Sequence, residues 1–155
     1  MPTEEKLEGR YKRMYDQLSD LLPKSNSSIS HMATVVALLH HKMPYFFWTG
    51  FYILHNGELT VGPYQGPLAC QVLEKNKGVC WAGILRRSTI VVPDVHTFPG
   101  HIACDSRSNS EIVVPLFDKD NQPWAVLDVD SKKFNAFSDV DKKWLEKITE
   151  LIRPI

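Results

Sequence analysis

The dipeptide Asn56-Gly57 constrains the fold of this chain more than any other feature. It lies between YFFWTGFYIL (45–54) and ELTVGPY (58–64), two segments rich in aromatic and β-branched residues. Asn-Gly favours the type I′ turn that joins neighbouring antiparallel strands. The segments EIVVPLF and PWAVLDVD, separated by the turn DKDNQ, predict a second hairpin. The chain is therefore expected to build an antiparallel sheet.

Helical periodicity predicts helices at both ends of the chain. Apolar residues recur at helical spacing over 7–22 and stop before Pro23, and a second helix is predicted over about 29–42. Ser138 and Asp141 resemble a capping box, followed by an apolar stripe at helical spacing. These helices supply apolar faces that need a sheet to pack on.

The segments between the two hairpins complete the order of elements. QGPLACQVLEKNKGVCWAGIL predicts a loop, a short helical stretch and a further helix near Gly78, and STIVVPDV predicts a short strand. The whole is an α+β domain with a central antiparallel β-sheet flanked by α-helices. We expect a single domain over 1–155, with N-terminal helices at about 3–43, the sheet and its loops at about 45–131, and a C-terminal helix at about 138–152.

Composition excludes several classes of protein. The 155 residues are 43% hydrophobic and 23% charged, as in soluble globular domains. Net charge is zero with Lys and Arg scattered, so no nucleic-acid partner is expected. The longest apolar run is too short to span a bilayer and the N-terminus lacks the apolar core of a secretory signal, so we expect a cytoplasmic protein without a membrane partner. Three cysteines are too few for a disulfide scaffold.

The loop HTFPGHIACDSRSNSE (96–111) is the first candidate functional segment, because long loops in compact domains tend to be functional. Small polar residues surround Cys104, so its thiol is expected to be accessible, and the thiolate is the reactive form. The alternative is an incidental loop cysteine. His96 and His101 suggest a Cys/His metal cluster, but the paired short spacings of zinc sites are missing, so no metal is expected.

Two further cysteines precede this loop. Cys80 lies near the predicted helix start, where the helix dipole would lower the pKa of a thiol; the alternative is a small apolar residue packing that helix on the sheet. Cys70 lies near a turn from which it can approach another loop. Sequence alone does not show that two cysteines come within disulfide range.

Carboxylates form a second group of candidates. Asp128 and Asp130 are two residues apart on a predicted strand, so both project from one face. Neighbouring acids repel, which keeps one of them protonated to higher pH. Glu111 begins the adjacent strand and is placed to join them. The alternative is that both aspartates lie in water beyond the end of the strand.

Aromatic residues share a face of the first strand. Trp48 and Tyr52 are four residues apart with Gly50 between them, and this spacing suggests two aromatic walls with room between them for a ligand. Ordinary core packing is the alternative. A thiol, several acids and an aromatic wall together fit a small polar substrate better than a macromolecule.

These residues lie in segments that resemble one family. GPYQGPLAC, KGVC, VPDVHTFPGHIACDSRSNSEIVVPL and VLDVDS strongly resemble the GAF-domain free methionine-(R)-sulfoxide reductases, over about residues 48–131. The flanking helices agree with a GAF-like fold. Most GAF domains are small-ligand sensors without this three-cysteine signature, so the motif says more about function than the fold does. A small-ligand or redox-sensing GAF module without turnover is the alternative.

The resemblance implies reduction of free methionine-(R)-sulfoxide to methionine under oxidative stress, with thioredoxin as reductant and no cofactor. By motif position, Cys104 in GHIACDS resembles the nucleophile and Cys70 in GPLAC its resolving partner. Cys80 in KGVC is the third family cysteine, without an assigned role. The resemblance mildly favours a homodimer, for which the amphipathic N-terminal helix offers an interface.

The resemblance also implies how the substrate is held. Trp48 and Tyr52 resemble the residues that enclose the methyl-sulfoxide side. Glu111, Asp128 and Asp130 resemble the acids that bind the substrate and polarise its oxygen, with Asp130 as the acid that assists catalysis.

Trp81 departs from the family pattern, in which a small residue commonly follows the third cysteine. If its side chain faced the pocket, it would narrow the space for the substrate.

Overall fold

The computed structural model describes residues 1–101 and 104–155. In that part of the chain the helices are α1 (Glu4–Leu21), α2 (Ser28–Lys42), α3 (Gly78–Arg86) and α4 (Asp139–Thr149), with 3₁₀ turns at Leu22–Lys24 and Val95–Thr97. The strands are β1 (Trp48–His55), β2 (Glu58–Gln65), β3 (Val72–Leu73), β4 (Ile90–Val92), β5 (Ser110–Phe117) and β6 (Pro123–Ser131). They pair antiparallel in the order β3-β2-β1-β6-β5-β4, which confirms the α+β fold with a central antiparallel sheet.

Both predicted hairpins form. Asn56 and Gly57 have φ values of 52° and 77°, the left-handed conformation that a type I′ turn needs at both central positions. β5 and β6 form the second hairpin, and β6 also pairs with β1. The two hairpins therefore meet at β1 and β6, which form the middle of the sheet with β2 and β5 on either side.

Side-chain alternation divides these strands between two cores. One face packs Phe51, Ile112 and Leu127 against the buried residues of α1, α2 and α4. The other face carries Val113 and Val126, which pack with the buried residues of α3. Only one short helix covers this second face within the described residues, so part of it remains open as a pocket.

The buried stripe of α1 belongs to the first core, with four side chains that are almost fully enclosed: Leu7, Tyr11, Met14 and Leu18. This apolar face is used inside the protein and is therefore not free to form the dimer interface that the sequence suggested.

One predicted element and one predicted boundary were wrong. The segment that was expected to hold a short helical stretch contains the strand β3 instead, in which Val72 pairs with Thr60 of β2. A helix has little room there, because Asn76 already adopts a left-handed conformation (φ 61°) just before α3. α4 ends at Thr149 rather than about 152 and continues as turns. No helix among the described residues is long and apolar enough to cross a membrane.

A buried carboxylate links the first and last helices to the segment that precedes β1. Asp141 is fully buried and accepts hydrogen bonds from the hydroxyls of Tyr11 (2.6 Å) and Tyr45 (2.5 Å). Its second oxygen accepts from the backbone N–H of Ser138 (2.8 Å), which confirms the predicted capping box. One side chain thus joins α1, the segment before β1 and the start of α4.

Asp141→Ala is expected to lower the free energy of unfolding by about 3 kcal/mol, because it leaves two buried hydroxyls and a helix start without their acceptor. Thermal unfolding measures this as a loss of about 2–4 °C per kcal/mol. Asp139→Ala is the matched control, since Asp139 is exposed in the same helical turn. Equal losses in the two variants would contradict a structural role for this network.

Candidate active site

Strand register brings the predicted acidic residues together. Asp130 on β6 lies opposite Trp48 on β1 and opposite Glu111 on β5. Asp128, two residues earlier on β6, lies opposite Gly50 and projects from the same face as Asp130. The alternative that the two aspartates extend into water is wrong, since Glu111 and Asp128 are buried and Asp130 is at most half-exposed.

Burial and mutual repulsion change the acidity of these carboxyls. Burial, and then the charges of Asp128 and Asp130, raise the pKa of Glu111 well above its usual range. The pKa of Asp130 is raised well above its usual value by burial and then by the charge of Asp128, and burial also raises the pKa of Asp128. The cluster therefore retains protons at pH values where exposed carboxyls have lost them.

Trp48 and Tyr52 form an aromatic wall of the pocket, and Tyr64 supports the Trp48 ring from outside the lining. Trp48 stacks on Tyr52 and on Tyr64, with ring centroids 5.8 Å and 5.2 Å apart. Trp48 Nε1 donates to the carbonyl of Pro67 (3.1 Å), and the Tyr52 hydroxyl donates to the carbonyl of Cys70 (3.2 Å). These two bonds fix the wall to the segment that carries Cys70.

The room expected above Gly50 is not open. A Cβ added there would lie 2.4 Å from Tyr64 Cβ and 2.6 Å from Trp48 Cη2. Gly50 is therefore required because the Trp48 ring crosses directly over the strand. The ligand space lies beside the rings, between them and the acids.

Cys70 and Cys104 form a disulfide with their Cα atoms 5.8 Å apart. Cys104 is exposed and borders the pocket, whereas Cys70 is half-buried and follows Ala69, which lines it. The expectation that Cys104 is accessible is confirmed, and the alternative of an incidental loop cysteine does not hold.

Cys80 behaves differently. It lies in the first turn of α3 but is buried, and its thiol pKa is raised well above the usual value by burial and then by the charges of Asp128 and Glu111. Desolvation and the two carboxyls outweigh the helix dipole, so its lowering of the pKa does not occur, and the alternative of a small residue packing α3 on the sheet is confirmed. The sulfur of Cys80 and one oxygen each of Glu111 and Asp128 all lie within 4.8 Å of one another.

The two histidines of the loop have separate environments. His96 is exposed and bonds through Nδ1 to Asp94 (2.8 Å), which orders the turn at the start of the loop. His101 borders the pocket with its Nδ1 4.0 Å from Glu111 Oε1, and burial lowers its pKa. His101 is therefore the neutral polar group beside the acids.

The start of α3 also reaches the pocket. Its N-cap residue, Lys77, makes no side-chain hydrogen bond to the first turn of the helix. Backbone N–H groups at such an end attract anions. The remaining polar lining includes Ser108, which is buried, and Asp105.

Comparison with known proteins agrees with this geometry. The GAF domain family matches residues 31–154. GAF domain-containing protein A of Dictyostelium discoideum is 44% identical over 146 residues, 94% of this chain and 91% of that protein. The free methionine-R-sulfoxide reductase of Escherichia coli is 39% identical over 135 residues, 87% of this chain and 81% of that protein.

The structural comparison points to the same enzymes. The X-ray structure of free methionine-R-sulfoxide reductase from Neisseria meningitidis in complex with its substrate has a TM-score of 0.91 at 32% identity, covering 99% of this chain and 90% of that chain. This chain belongs to the GAF-domain free methionine-R-sulfoxide reductase family.

Trp81, which differs from the small residue common at this position in the reductase family, does not narrow the pocket. Trp81 is buried in the core between α3 and the sheet and is absent from the described pocket lining. Its side chain fills the apolar core, so the predicted narrowing of the pocket does not occur.

Sequence reasoning missed three residues that shape the reductase pocket. Tyr64 stacks on Trp48 behind the pocket lining, and Ser108 and Lys77 border the ligand space. The Asn-Gly turn does not predict the position of Tyr64, because a register shift between Tyr52 and Gly50 brings Tyr64 opposite Gly50. Ser108 and Lys77 had no signal either, since their positions depend on how two loops fold over the sheet.

Proposed function

We infer that this protein reduces free methionine-(R)-sulfoxide to methionine by thiol chemistry. The observation that carries this inference is the Cys70–Cys104 disulfide at the rim of a pocket that holds three acids and an aromatic wall. Each component has a task in sulfoxide reduction, and the Escherichia coli and Neisseria meningitidis proteins named above carry this activity in their names.

The pocket offers a partner for each end of a free amino acid. Glu111 and Asp128 receive the ammonium group as carboxylates, because a buried cation requires negative partners and its charge favours loss of their protons. The uncapped start of α3 receives the carboxylate through backbone N–H groups. Trp48 and Tyr52 then enclose the methyl-sulfoxide side, which leaves the sulfur facing Cys104.

In the first step, the Cys104 thiolate attacks the sulfoxide sulfur. Asp130, protonated because its pKa is raised, donates its proton to the sulfoxide oxygen. The substrate S–O bond then breaks as its oxygen is transferred to the Cys104 sulfur, and the S–S bond formed in the attack breaks with its electron pair remaining on the substrate sulfur. Methionine leaves, and Cys104 is left as a sulfenic acid. The substrate sulfur gains two electrons and the Cys104 sulfur loses two.

In the second step, the thiol of Cys70 attacks the sulfenic sulfur, and water leaves as the disulfide forms. The Cα separation of 5.8 Å lies in the range that a disulfide spans. A dithiol of the thioredoxin type then reduces the disulfide by exchange, and exposed Cys104 offers it an accessible sulfur. Cys80 has no part in this scheme, because burial keeps it a thiol.

Recognition of both charged ends predicts selectivity for the free amino acid. N-acetylation removes the ammonium charge and leaves Glu111 and Asp128 without a partner, so kcat/KM is expected to fall by about 10⁴-fold relative to free methionine-(R)-sulfoxide. The measurement is methionine or N-acetylmethionine formed with dithiothreitol as reductant. Equal rates for the two compounds would contradict this placement of the substrate.

The rival function is a GAF module that senses a small ligand or redox state without turnover. The same assay separates the two, since a sensor binds the sulfoxide and releases no methionine. Multiple turnovers with dithiothreitol support the reductase; tight binding without product supports the sensor.

We further propose a single GAF-like domain over 1–155 that works in the cytoplasm, where a thioredoxin-type dithiol is present to recycle it. The packing of α1 against α4 supports inclusion of the N-terminal helix in this domain. A homodimer remains a prediction without an assigned surface.

A further inference from the structure

A compact set of metal-ligating atoms lies at the base of the pocket. Cys80 in the first turn of α3, Glu111 on β5 and Asp128 on β6 each direct one ligand atom to within 4.8 Å of the others. All three residues are at least nine-tenths buried. Three different elements thus converge on one small volume, which no spacing in the sequence indicates.

This cluster lacks a cation of its own among the described residues. Asp128 Oδ1 is buried and accepts no hydrogen bond there. His101 approaches Glu111 only to 4.0 Å, and Lys77 at the pocket rim pairs with Glu74 instead (2.8 Å). A buried, unpartnered carboxylate oxygen beside a thiol and a second acid is an environment that favours a positive ligand.

The donor set fits one class of ion. A sulfur ligand selects Zn²⁺ and similar borderline-soft ions over Mg²⁺ and Ca²⁺, which require oxygen ligands only. Zn²⁺ binds sulfur at about 2.3 Å and carboxylate oxygen at about 2.0–2.2 Å, so ligands of one ion lie about 3–4 Å apart. The three ligand atoms lie within 4.8 Å of one another, close to that spacing.

We propose that Cys80, Glu111 and Asp128 form a reversible binding site for Zn²⁺, and that the bound ion inhibits the reductase by occupying the place of the substrate's ammonium group. The proposal that Zn²⁺ binds here depends only on the positions of the three ligands and not on the proposed function. The inhibitory part rests on the proposed function, because it assumes that Glu111 and Asp128 receive the substrate.

The variant Cys70→Ser/Cys104→Ser tests the site directly, since Cys80 is then the one thiol of the chain. Titration with Zn²⁺ by calorimetry is expected to show one equivalent bound. Co²⁺ is expected to show a thiolate charge-transfer band. Adding Cys80→Ala is expected to weaken Zn²⁺ binding at least about 100-fold and remove the band, and Asp128→Asn to weaken it at least about 10-fold.

Asp94→Asn in the same background is the matched control, because it removes an acid from the exposed Asp94–His96 pair without touching the cluster. Zn²⁺ binding that survives Cys80→Ala and disappears with Asp94→Asn would place the ion on the surface and overturn the proposal. Absence of stoichiometric binding would also overturn it. Near-ultraviolet circular dichroism of each variant checks that the fold is retained.

Competition tests the inhibitory part. Free methionine-(R)-sulfoxide is expected to weaken Zn²⁺ binding to the double-serine variant, and Zn²⁺ to weaken sulfoxide binding by the same factor. Zn²⁺ binding that is indifferent to bound sulfoxide would contradict inhibition. A protein that binds Zn²⁺ at Cys80 but no sulfoxide would contradict the proposed function while confirming the metal site.

Discussion

Cys104→Ser is expected to abolish methionine formation, even in a single turnover with fully reduced protein. Loss of a catalytic nucleophile typically lowers the rate by several orders of magnitude, and serine does not ionise to replace the thiolate. Cys104 is the exposed member of the disulfide and borders the pocket, which is where an attacking sulfur must lie. The measurement is methionine released per protein from free methionine-(R)-sulfoxide without added reductant.

Cys70→Ser separates the two chemical steps. This variant is expected to release up to one equivalent of methionine and then stop with thioredoxin, because no disulfide forms for the dithiol to reduce. Cys80→Ser is the matched control and is expected to keep the single-turnover yield, since Cys80 is buried outside the disulfide. A full yield from Cys104→Ser would show that the nucleophile is misassigned, with Cys80 as the next candidate.

Asp130→Asn is expected to lower kcat by about 10²–10⁴-fold, the usual contribution of a general acid. Wild-type activity is expected to fall as pH rises through the raised pKa of the acid cluster, because the proton donor is then lost. The activity of the variant should not show this fall at high pH. The cluster comprises Glu111, Asp128 and Asp130, with Cys80 and His101 as the titratable neighbours that face it. Rates over a range of pH measure both effects.

The same substitution should stabilise the protein at neutral pH. The pKa of Asp130 is raised in the folded state, so the native state binds more protons than the unfolded chain. The contribution of Asp130 to the free energy of unfolding is therefore fully present below its unfolded-state pKa of about 4. It is lost as pH rises through the folded-state pKa. Asn removes this loss, so the gap in Tm between variant and wild type should widen from pH 4 to pH 8.

Asp120→Asn is the control for both effects, because Asp120 is exposed in the turn between β5 and β6. It is expected to leave kcat and the Tm profile unchanged. Loss of activity without the pH-dependent gain in stability would mean that Asp130 is ionised in the folded protein, which contradicts its role as a proton donor.

The parts of the fold that sequence predicted are those set by local chemistry. Asn56-Gly57 requires two left-handed residues, and the spacing of Asp128 and Asp130 places both on one face whatever surrounds the strand. The capping box at Ser138 is likewise contained within four residues. In each case the residues that decide the structure lie within four positions of one another in the chain.

The errors concern properties that arise only after distant segments meet. The pKa of Cys80 rises because the folded chain buries its thiol, and then because of the charges of Asp128 and Glu111, which are more than 30 residues away in the chain. The space above Gly50 is filled by a ring from β1 and a residue of β2. The pairing of Cys70 with Cys104 followed from family resemblance, because spacing alone does not place two loops 5.8 Å apart.

The central claim is that turnover of free methionine-(R)-sulfoxide joins Cys70 to Cys104. Fully reduced protein is treated anaerobically with one equivalent of the sulfoxide, remaining thiols are alkylated, and the peptides are mapped by mass spectrometry. We expect a Cys70–Cys104 cross-link, an alkylated Cys80 and one equivalent of methionine. A cross-link that includes Cys80, or methionine formed while all three cysteines remain alkylable, would contradict it.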